Sequence, residues 1–305
     1  MTSTQAGTGP HTELVCLILV NWNGWRDTVE CLESCAELTH PRLEIVVVDN
    51  GSTDDSVARL RERYPELHLI ETRANLGFAA ASNVGMHAAL TMGADHLWLL
   101  NNDTVVDRGA LSELLVVMRA DPSVGIAGSK IYFADRPETL WFAGGRVSQL
   151  SGWALHRGIE EADEGQYEEA AEVDFATGCS LLARARAVAS LGPMTEDFFL
   201  YWEDVDWCAR AHGAGWRVVY APRSRVWHKV GGSLTSRQRH LHWRYEGRNR
   251  LHFYRRHIPW ALGWVAMLTP LSALYLVARG RPRDGLALVR GSLDACLGRR
   301  GPIRP

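Results

Sequence analysis

Four short polar clusters carry the residue types that could do chemistry, and each interrupts or follows an apolar run. Asp49-Asn-Gly-Ser-Thr-Asp54 follows Leu43–Val48. A carboxylate at a strand end can accept hydrogen bonds from a base N–H or a ribose hydroxyl; the same residues also make a turn, with Thr53 or Asp54 capping the next helix. Asn101-Asn-Asp103 follows His96–Leu100. Its carboxylate could hold Mg2+ or Mn2+, which prefer oxygen ligands and keep several waters, or it could close an Asx-turn before a helix that starts near Gly109. Glu203, Asp204 and Asp206 crowd the start of a predicted helix among Phe198, Phe199, Tyr201, Trp202 and Trp207. Carboxylates cap helix N-termini well, and like charges this close raise one another's pKa, so one of the three could serve as a general base. His228 follows Trp216–Trp227 and precedes Gly231-Gly232-Ser233, whose backbone N–H groups could meet phosphate oxygens. It can be a ligand or a structural histidine.

The elements that must position these clusters alternate in type. Leu14–Val20, Leu43–Val48, Leu67–Glu71 and His96–Leu100 read as strands buried on both faces. Trp25–Leu38, Ser56–Tyr64 and Ala79–Met92 have helical periodicity between them. Such alternation predicts an α/β fold, a doubly wound, mostly parallel sheet that binds ligands at the carboxyl ends of its strands. Asn21–Asn23, Asp49–Asp54, Asn75 and Asn101–Asp103 fall at those ends. Beyond Gly125 the pattern loosens: Leu140–His156 reads as a hairpin, Ile159–Glu172 as an exposed acidic loop, Trp202–Gly213 as a helix and Trp216–Tyr220 as a strand.

Composition bounds the rest. The chain has 305 residues, 46% hydrophobic and 22% charged, enough for a large core. Its net charge of −2 hides a basic last third: residues 210–305 hold 19 Lys and Arg against three acids. That balance suits an anionic ligand or an anionic membrane face, and no nucleic-acid motif accompanies it. The six cysteines form no CxxC pair and read as reduced thiols of a cytoplasmic protein. Residues 1–12 read as a loose tail without signal-peptide character. Leu241–His257 reads as a basic helix, followed by Ile258–Ala278, which has no formal charge and is flanked by arginines. Three readings of that segment stay open: a broken helical hairpin in the membrane interface, giving peripheral contact through residues 241–283; a soluble appendage covering the core or a homodimer contact; or a true span.

Order and spacing join the clusters. Val20-Asn-Trp-Asn-Gly24, Val47–Asp54, Asn75-Leu-Gly-Phe-Ala-Ala-Ala-Ser-Asn-Val-Gly85, Leu99–Asp103, Thr177-Gly-Cys179, Phe198–Asp206 and Trp227-His228 follow one another over about residues 14–230. In this the chain resembles the family 2 glycosyltransferases, and among them the bacterial rhamnosyltransferase-like group. The resemblance implies a GT-A catalytic domain over 13–230, with 231–305 as a helical C-terminal region. It implies a nucleotide diphosphate sugar as donor (dTDP-rhamnose first, other dTDP- or UDP-sugars also), and inversion at the anomeric carbon. The acceptor would be a glycan, a lipid-linked intermediate or a small molecule. Asn21, Asp49, Asn75, Asn83 and Asn102 would line the nucleotide pocket. Asp103 and His228 would hold the metal, with Asn101 standing where the family's motif has its first aspartate. Asp204 would be the catalytic base, supported by Glu203, and Thr177, Gly178 and Trp202 would face the acceptor. Arg248, with Asn249, is a candidate diphosphate contact from the basic segment. A nucleotidyltransferase would open with a Gly-rich phosphate loop, which Asn21-Trp-Asn-Gly24 is not. A non-catalytic nucleotide-sugar-binding scaffold would have little reason to keep Asp103, Asp204 and His228.

Overall fold

The computed structural model describes residues 12–230 and 236–303. The chain runs β1 (Val15–Asn21), α1 (Trp25–Cys35), β2 (Leu43–Asp49), α2 (Ser56–Arg63), β3 (His68–Glu71), α3 (Phe78–Thr91), β4 (His96–Asn101), β5 (Thr104–Val106), α4 (Ala110–Ala120) and β6 (Val124–Phe133). It continues through β7 (Leu140–Phe142), β8 (Gly145–Val147), β9 (Ala154–His156), β10 (Ala171–Glu172), β11 (Ser180–Arg184), α5 (Ala185–Leu191), α6 (Glu203–Gly213) and β12 (Arg217–His228). Three helices close it: α7 (Ser236–His257), α8 (Leu262–Ala278) and α9 (Pro282–Cys296).

The main sheet has the order β10-β12-β6-β11-β4-β1-β2-β3. Its first half is the parallel α/β unit expected from the alternating runs: β4, β1, β2 and β3 are parallel neighbours. These strands are nearly continuous apolar runs because helices cover both faces; Val15–Leu19 and Leu97–Leu100 are buried throughout. The second half is mixed. β11 runs antiparallel between β4 and β6, and β12 is parallel to β6. Register places Asn21 beside Asp49 and Val20 beside Asn101, so three chemistry-bearing strand ends share one edge of the sheet.

The loosened region resolves into short strands. β8 and β9 form the expected hairpin, while β7 joins the main sheet on β6. Residues 159–172 are loop except for the two-residue β10 at their end. The helix expected over Leu241–His257 starts earlier, at Ser236, and the strand expected at Trp216–Tyr220 extends to His228. All six cysteines are free thiols, five of them buried. The N-terminal tail up to residue 11 and Gly231-Gly232-Ser233 lie outside the described residues.

The C-terminal helices pack on the α/β domain and on each other. A Cβ at Gly247 would overlap the Leu288 carbonyl and one at Gly291 the Arg244 carbonyl, so glycine at both positions lets α7 and α9 cross at backbone contact. α8 and α9 form a helical hairpin. The inner face of α8 buries Val265, Thr269, Ala273 and Leu276, while Trp264, Met267, Leu271, Leu274 and Tyr275 remain exposed. With its preceding turn, Pro259–Ala278 is long and apolar enough to cross a membrane by length and composition, and 28% of its most apolar window is buried.

Candidate active site

The ends of β1 and β2 and the turn after β4 build one hydrogen-bonded network. Asn21 Nδ2 donates to Asp49 Oδ1 at 2.8 Å and to Ser52 Oγ at 3.1 Å. Ser52 returns its hydroxyl to Asp49 Oδ1 and its N–H to Asp49 Oδ2. Thr28 Oγ1 donates to Asn21 Oδ1, and Asn102 Nδ2 donates to Thr28 Oγ1, both at 2.9 Å. Asn21 has no exposed surface, so the direct nucleotide contact expected of it is corrected: it holds Asp49 and Thr28 in place. Asp49 is nearly as buried, and both its oxygens serve the turn, so any base or ribose contact must share those bonds. Asn75 is exposed beside Asn50, whose amide donates to Asn75 Oδ1 at 3.2 Å.

The second corner lies where β4 ends and β5 pairs with β12. The β5–β12 register puts His228 opposite Thr104, and His228 Nε2 stands 3.1 Å from Asp103 Oδ1 and 3.4 Å from Asn101 Nδ2. Burial opposes an imidazolium at His228, but the Cys179 sulfur beside it and the hydrogen-bonded Asp103 carboxylate together outweigh that and raise the ring's pKa. Asp103 is correspondingly lowered: burial works against its charge, and the hydrogen bond from His228 prevails. His228 Nδ1 is buried without a hydrogen-bond partner. Asp103 Oδ1 and His228 Nε2, 3.1 Å apart, form an oxygen and imidazole donor pair that fits a divalent cation taking the place of the proton they share, with its remaining ligands from diphosphate and water. Among the described residues no group of three or more His, Cys, Asp or Glu side chains is gathered for a metal.

The third corner is a pocket of about 280 Å3 that reaches from His228 and Asn101 to the N-terminus of α6. Asp204 accepts the Gly178 N–H on Oδ2 at 2.9 Å and the Val205 N–H on Oδ1 at 2.8 Å. Burial raises its pKa, and these N–H donors restrain the rise. Glu203 is pushed much further up, by burial first and by Asp204 next to it, and its Oε2 has no partner. The pair divides its roles by environment, with Glu203 holding a proton and Asp204 ionising first. Thr177, Gly178 and Trp202 line the same pocket, as do Trp141, His156 and Tyr201. Asp206 is elsewhere: fully buried, it binds Thr195, Arg210, Arg256 and His257 and ties α6 to α7.

The family model for glycosyltransferase-like family 2 matches residues 11–246, across the sheet, both corners and the Asp204 pocket. The chain belongs to glycosyltransferase family 2. An N-acetylglucosaminyl-diphospho-decaprenol L-rhamnosyltransferase of Mycobacterium tuberculosis is 27% identical over 234 residues, which cover 71% of this chain and 76% of that protein. A dTDP-rhamnosyl transferase of Shigella flexneri is 25% identical over 195 residues, 64% of this chain and 62% of that protein. Among solved structures, a mannosyltransferase of Pyrobaculum calidifontis in complex with GDP-Man and Mn2+ superposes with a TM-score of 0.60. At 18% identity, covering 95% of this chain and 88% of that one, it shows the shared GT-A fold.

Within this glycosyltransferase, two expected site residues stand apart from the site. Arg248 is 1% exposed, and each of its three guanidinium nitrogens donates to a protein oxygen, of the Asn249 side chain or the Gly301 and Phe198 carbonyls, so it is turned inward and away from a diphosphate. Asn83 clasps the chain before α6 instead of lining a nucleotide pocket: its amide bonds Met194 N and O and the Glu196 carboxylate. Sequence reasoning also missed what α7 does. Phe199, Tyr201 and Trp202 all have positive φ, and the Leu200 N–H bonds the Phe198 carbonyl at 2.8 Å, closing a γ-turn on Phe199. Asn249 Nδ2 donates to the Phe198, Leu200 and Tyr201 carbonyls at 3.0, 2.8 and 2.8 Å. From the other side the Phe199 carbonyl accepts the Phe78 N–H that opens α3, and only glycine fits at position 77 beneath it. Three consecutive arginine-rich turns of helix gave no sign that one asparagine among them holds the strained loop before Asp204.

Proposed function

We propose that this glycosyltransferase moves a deoxyhexose of the rhamnose class from a dTDP- or UDP-linked donor to an acceptor hydroxyl, with inversion and with Asp204 as base. The observation that carries this reading is Asp204 itself: a carboxylate fixed by two backbone N–H groups, facing a pocket that also opens on the Asp103–His228 corner. The acceptor O–H gives its proton to Asp204, its oxygen bonds the anomeric carbon from the face opposite the leaving group, and the bond to the diphosphate breaks with its electron pair. When bound, Mg2+ or Mn2+ would be held by Asp103 and His228 and would supply positive charge beside the diphosphate. Asn75, Asn102 and the turn that Asp49 fixes are the surfaces offered to the nucleotide. The rhamnosyl donor is supported by two relatives whose names specify rhamnosyl transfer.

Thermal unfolding with a panel of nucleoside diphosphates tests the donor half. Binding to the native state alone stabilises it by ~2.7 kcal/mol at a hundredfold excess over Kd. A shift with dTDP or UDP that grows with Mn2+ is expected; a folded protein that responds to no nucleotide refutes the reading.

The acceptor we propose is lipid-linked, reached from the inner face of an anionic bilayer. Trp260, in the turn before α8, and Met267, Leu271 and Leu274 on it are 75%, 66%, 62% and 63% exposed, a band of large apolar side chains of the kind that marks a membrane or partner contact. At the far end of α8 a cleft of about 430 Å3 is lined by Arg239, Arg283, and an Arg281–Asp284–His240 cluster, a net basic wall suited to a phosphate headgroup. The protein should sediment with phosphatidylglycerol vesicles, less so in high salt and weakly with phosphatidylcholine. The Met267→Asp, Leu271→Asp double variant should stay in the supernatant, and equal sedimentation of both proteins would dispose of the idea.

A further inference from the structure

The Asp204 pocket has one wall that comes from neither the sheet nor α6. Helix α7 passes across it and presents His242 and Glu246 to the same space as Glu203 and Asp204. Glu246 is placed firmly: its Oε2 accepts the Trp202 indole N–H at 2.8 Å. Its other oxygen has no hydrogen-bond partner, and no cation lies within ion-pair distance, among the described residues. Glu203 Oε2 is unpartnered too, but it is sealed beneath the pocket wall, so the acceptor left open on the cavity is the second carboxylate oxygen of half-buried Glu246. A carboxylate oxygen without a donor in a pocket asks for one from a ligand, because an unmet polar group out of water is costly.

The chemistry of the wall selects what those donors belong to. Asp204 and Glu246 put negative charge at this end of the pocket, which disfavours a diphosphate or any other anion there and keeps the charged part of the donor at the other end. Aromatic rings stand around the carboxylates: Tyr201 and His242 meet edge to face at 4.6 Å, and Trp141 packs against His156 and His228. Neutral, hydroxyl-rich faces beside apolar C–H faces describe a carbohydrate ring. We infer that Glu246, delivered by α7, determines acceptor recognition by accepting hydrogen bonds from hydroxyls of a neutral acceptor sugar seated between Glu203 and the Tyr201–His242 edge. The inference rests on the transferase reading and adds the part of the chain that chooses the acceptor.

Glu246→Gln is the informative variant. It keeps an oxygen for the Trp202 N–H and removes only the charged acceptor, so a purely structural Glu246 would leave it like wild type. Octyl glycosides of N-acetylglucosamine, rhamnose and galactose serve as acceptors, with the donor chosen by the nucleotide screen. A charged hydrogen bond to a neutral donor corresponds to about a tenfold to hundredfold rise in acceptor KM. Stabilisation by the nucleoside diphosphate, read at the other end of the site, should stay that of wild type, and kcat should change less than KM. A wild-type acceptor KM in Glu246→Gln overturns the inference, as does an equal loss of nucleotide stabilisation. A wild type that hydrolyses the donor in water yet gains nothing from any glycoside overturns the carbohydrate class alone. A wild type that consumes no donor at all overturns the transferase reading instead.

Discussion

Replacing Asn249 with alanine should damage catalysis through a loop that Asn249 reaches from another helix. The side chain is fully buried, and its two N–H groups serve three carbonyls of residues 198–201. Buried carbonyls that lose their donor cost about 1–3 kcal/mol. The same bonds hold a γ-turn at Phe199 and a left-handed Trp202, conformations that store strain on the order of 1–3 kcal/mol each for residues other than glycine. Two N–H groups shared among three acceptors cannot deliver three full bonds, so the expected loss is about 2–3 kcal/mol. For a domain this large that lowers Tm by roughly 5–10 °C. The loop ends one residue before Glu203, so its relaxation carries the base with it, and a displacement near 1 Å can cost about a hundredfold in turnover. The assay pairs thermal unfolding with turnover at saturating donor and acceptor, using nucleotide stabilisation as the control for the donor half. Asn249→Asp, which removes the donors and adds charge against the same carbonyls, should be worse. Native turnover in a folded Asn249→Ala enzyme would refute the claim that this amide holds the loop.

Three further outcomes follow from the site. Asp204 must be ionised to act and its pKa is raised, so kcat/KM should fall with decreasing pH along a limb displaced above the ordinary carboxylate value of 3.8; a limb at or below that value would remove Asp204 from the role, as would an Asp204→Asn variant that turns over near wild type. Burial opposes ionisation of Asp206, but His257, Thr195, Arg210 and Arg256 hold it down to about 2 from 3.8. A depressed carboxyl gives stability that is present above pH 3.8 and lost as pH falls through about 2, worth about 2 kcal/mol by linkage; Asp206→Asn should lose that amount at neutral pH and flatten the acid decline measured by denaturant titration. His228→Ala should retain nucleotide binding without metal but lose the increment that Mn2+ adds, and an unchanged Mn2+ increment would place the cation elsewhere.

The donor half was legible because its parts are local. Asn21, Asp49 and Asn101 each end an apolar run, and parallel strands bring such ends to one edge whatever the rest of the chain does. Asp204 could be found for a similar reason, since a carboxylate pair at the start of a predicted helix is visible in a few residues. Function was harder to read in the network itself. Asn21 and Asp49 looked like ligand contacts, and the structure spends them on each other and on Ser52. Arg248 shows the opposite error. A basic segment after the core suggested phosphate, but burial turned the guanidinium toward the Phe198 and Gly301 carbonyls. Neither outcome follows from periodicity, because each depends on a partner about fifty residues away or on a strand pairing.

That separation explains why the C-terminal helices belong to the site and are not merely attached to it. The family match ends at residue 246, within α7. Yet the loop before Asp204 is held by Asn249, Asp206 is anchored by Arg256 and His257, and Glu246 faces the pocket from the same helix. One helix therefore holds the loop before Asp204, the seat of α6 and one wall of the Asp204 pocket, and α8 leads directly on from it with its apolar face bare. A chain cut after β12 would keep the network at the ends of β1 and β2, the Asp103–His228 corner, and every motif of the donor half. It should lose the support that Asn249 gives the strained loop, and with it acceptor transfer. On the proposed reading, donor binding falls to the sheet and acceptor choice to the helices that follow it.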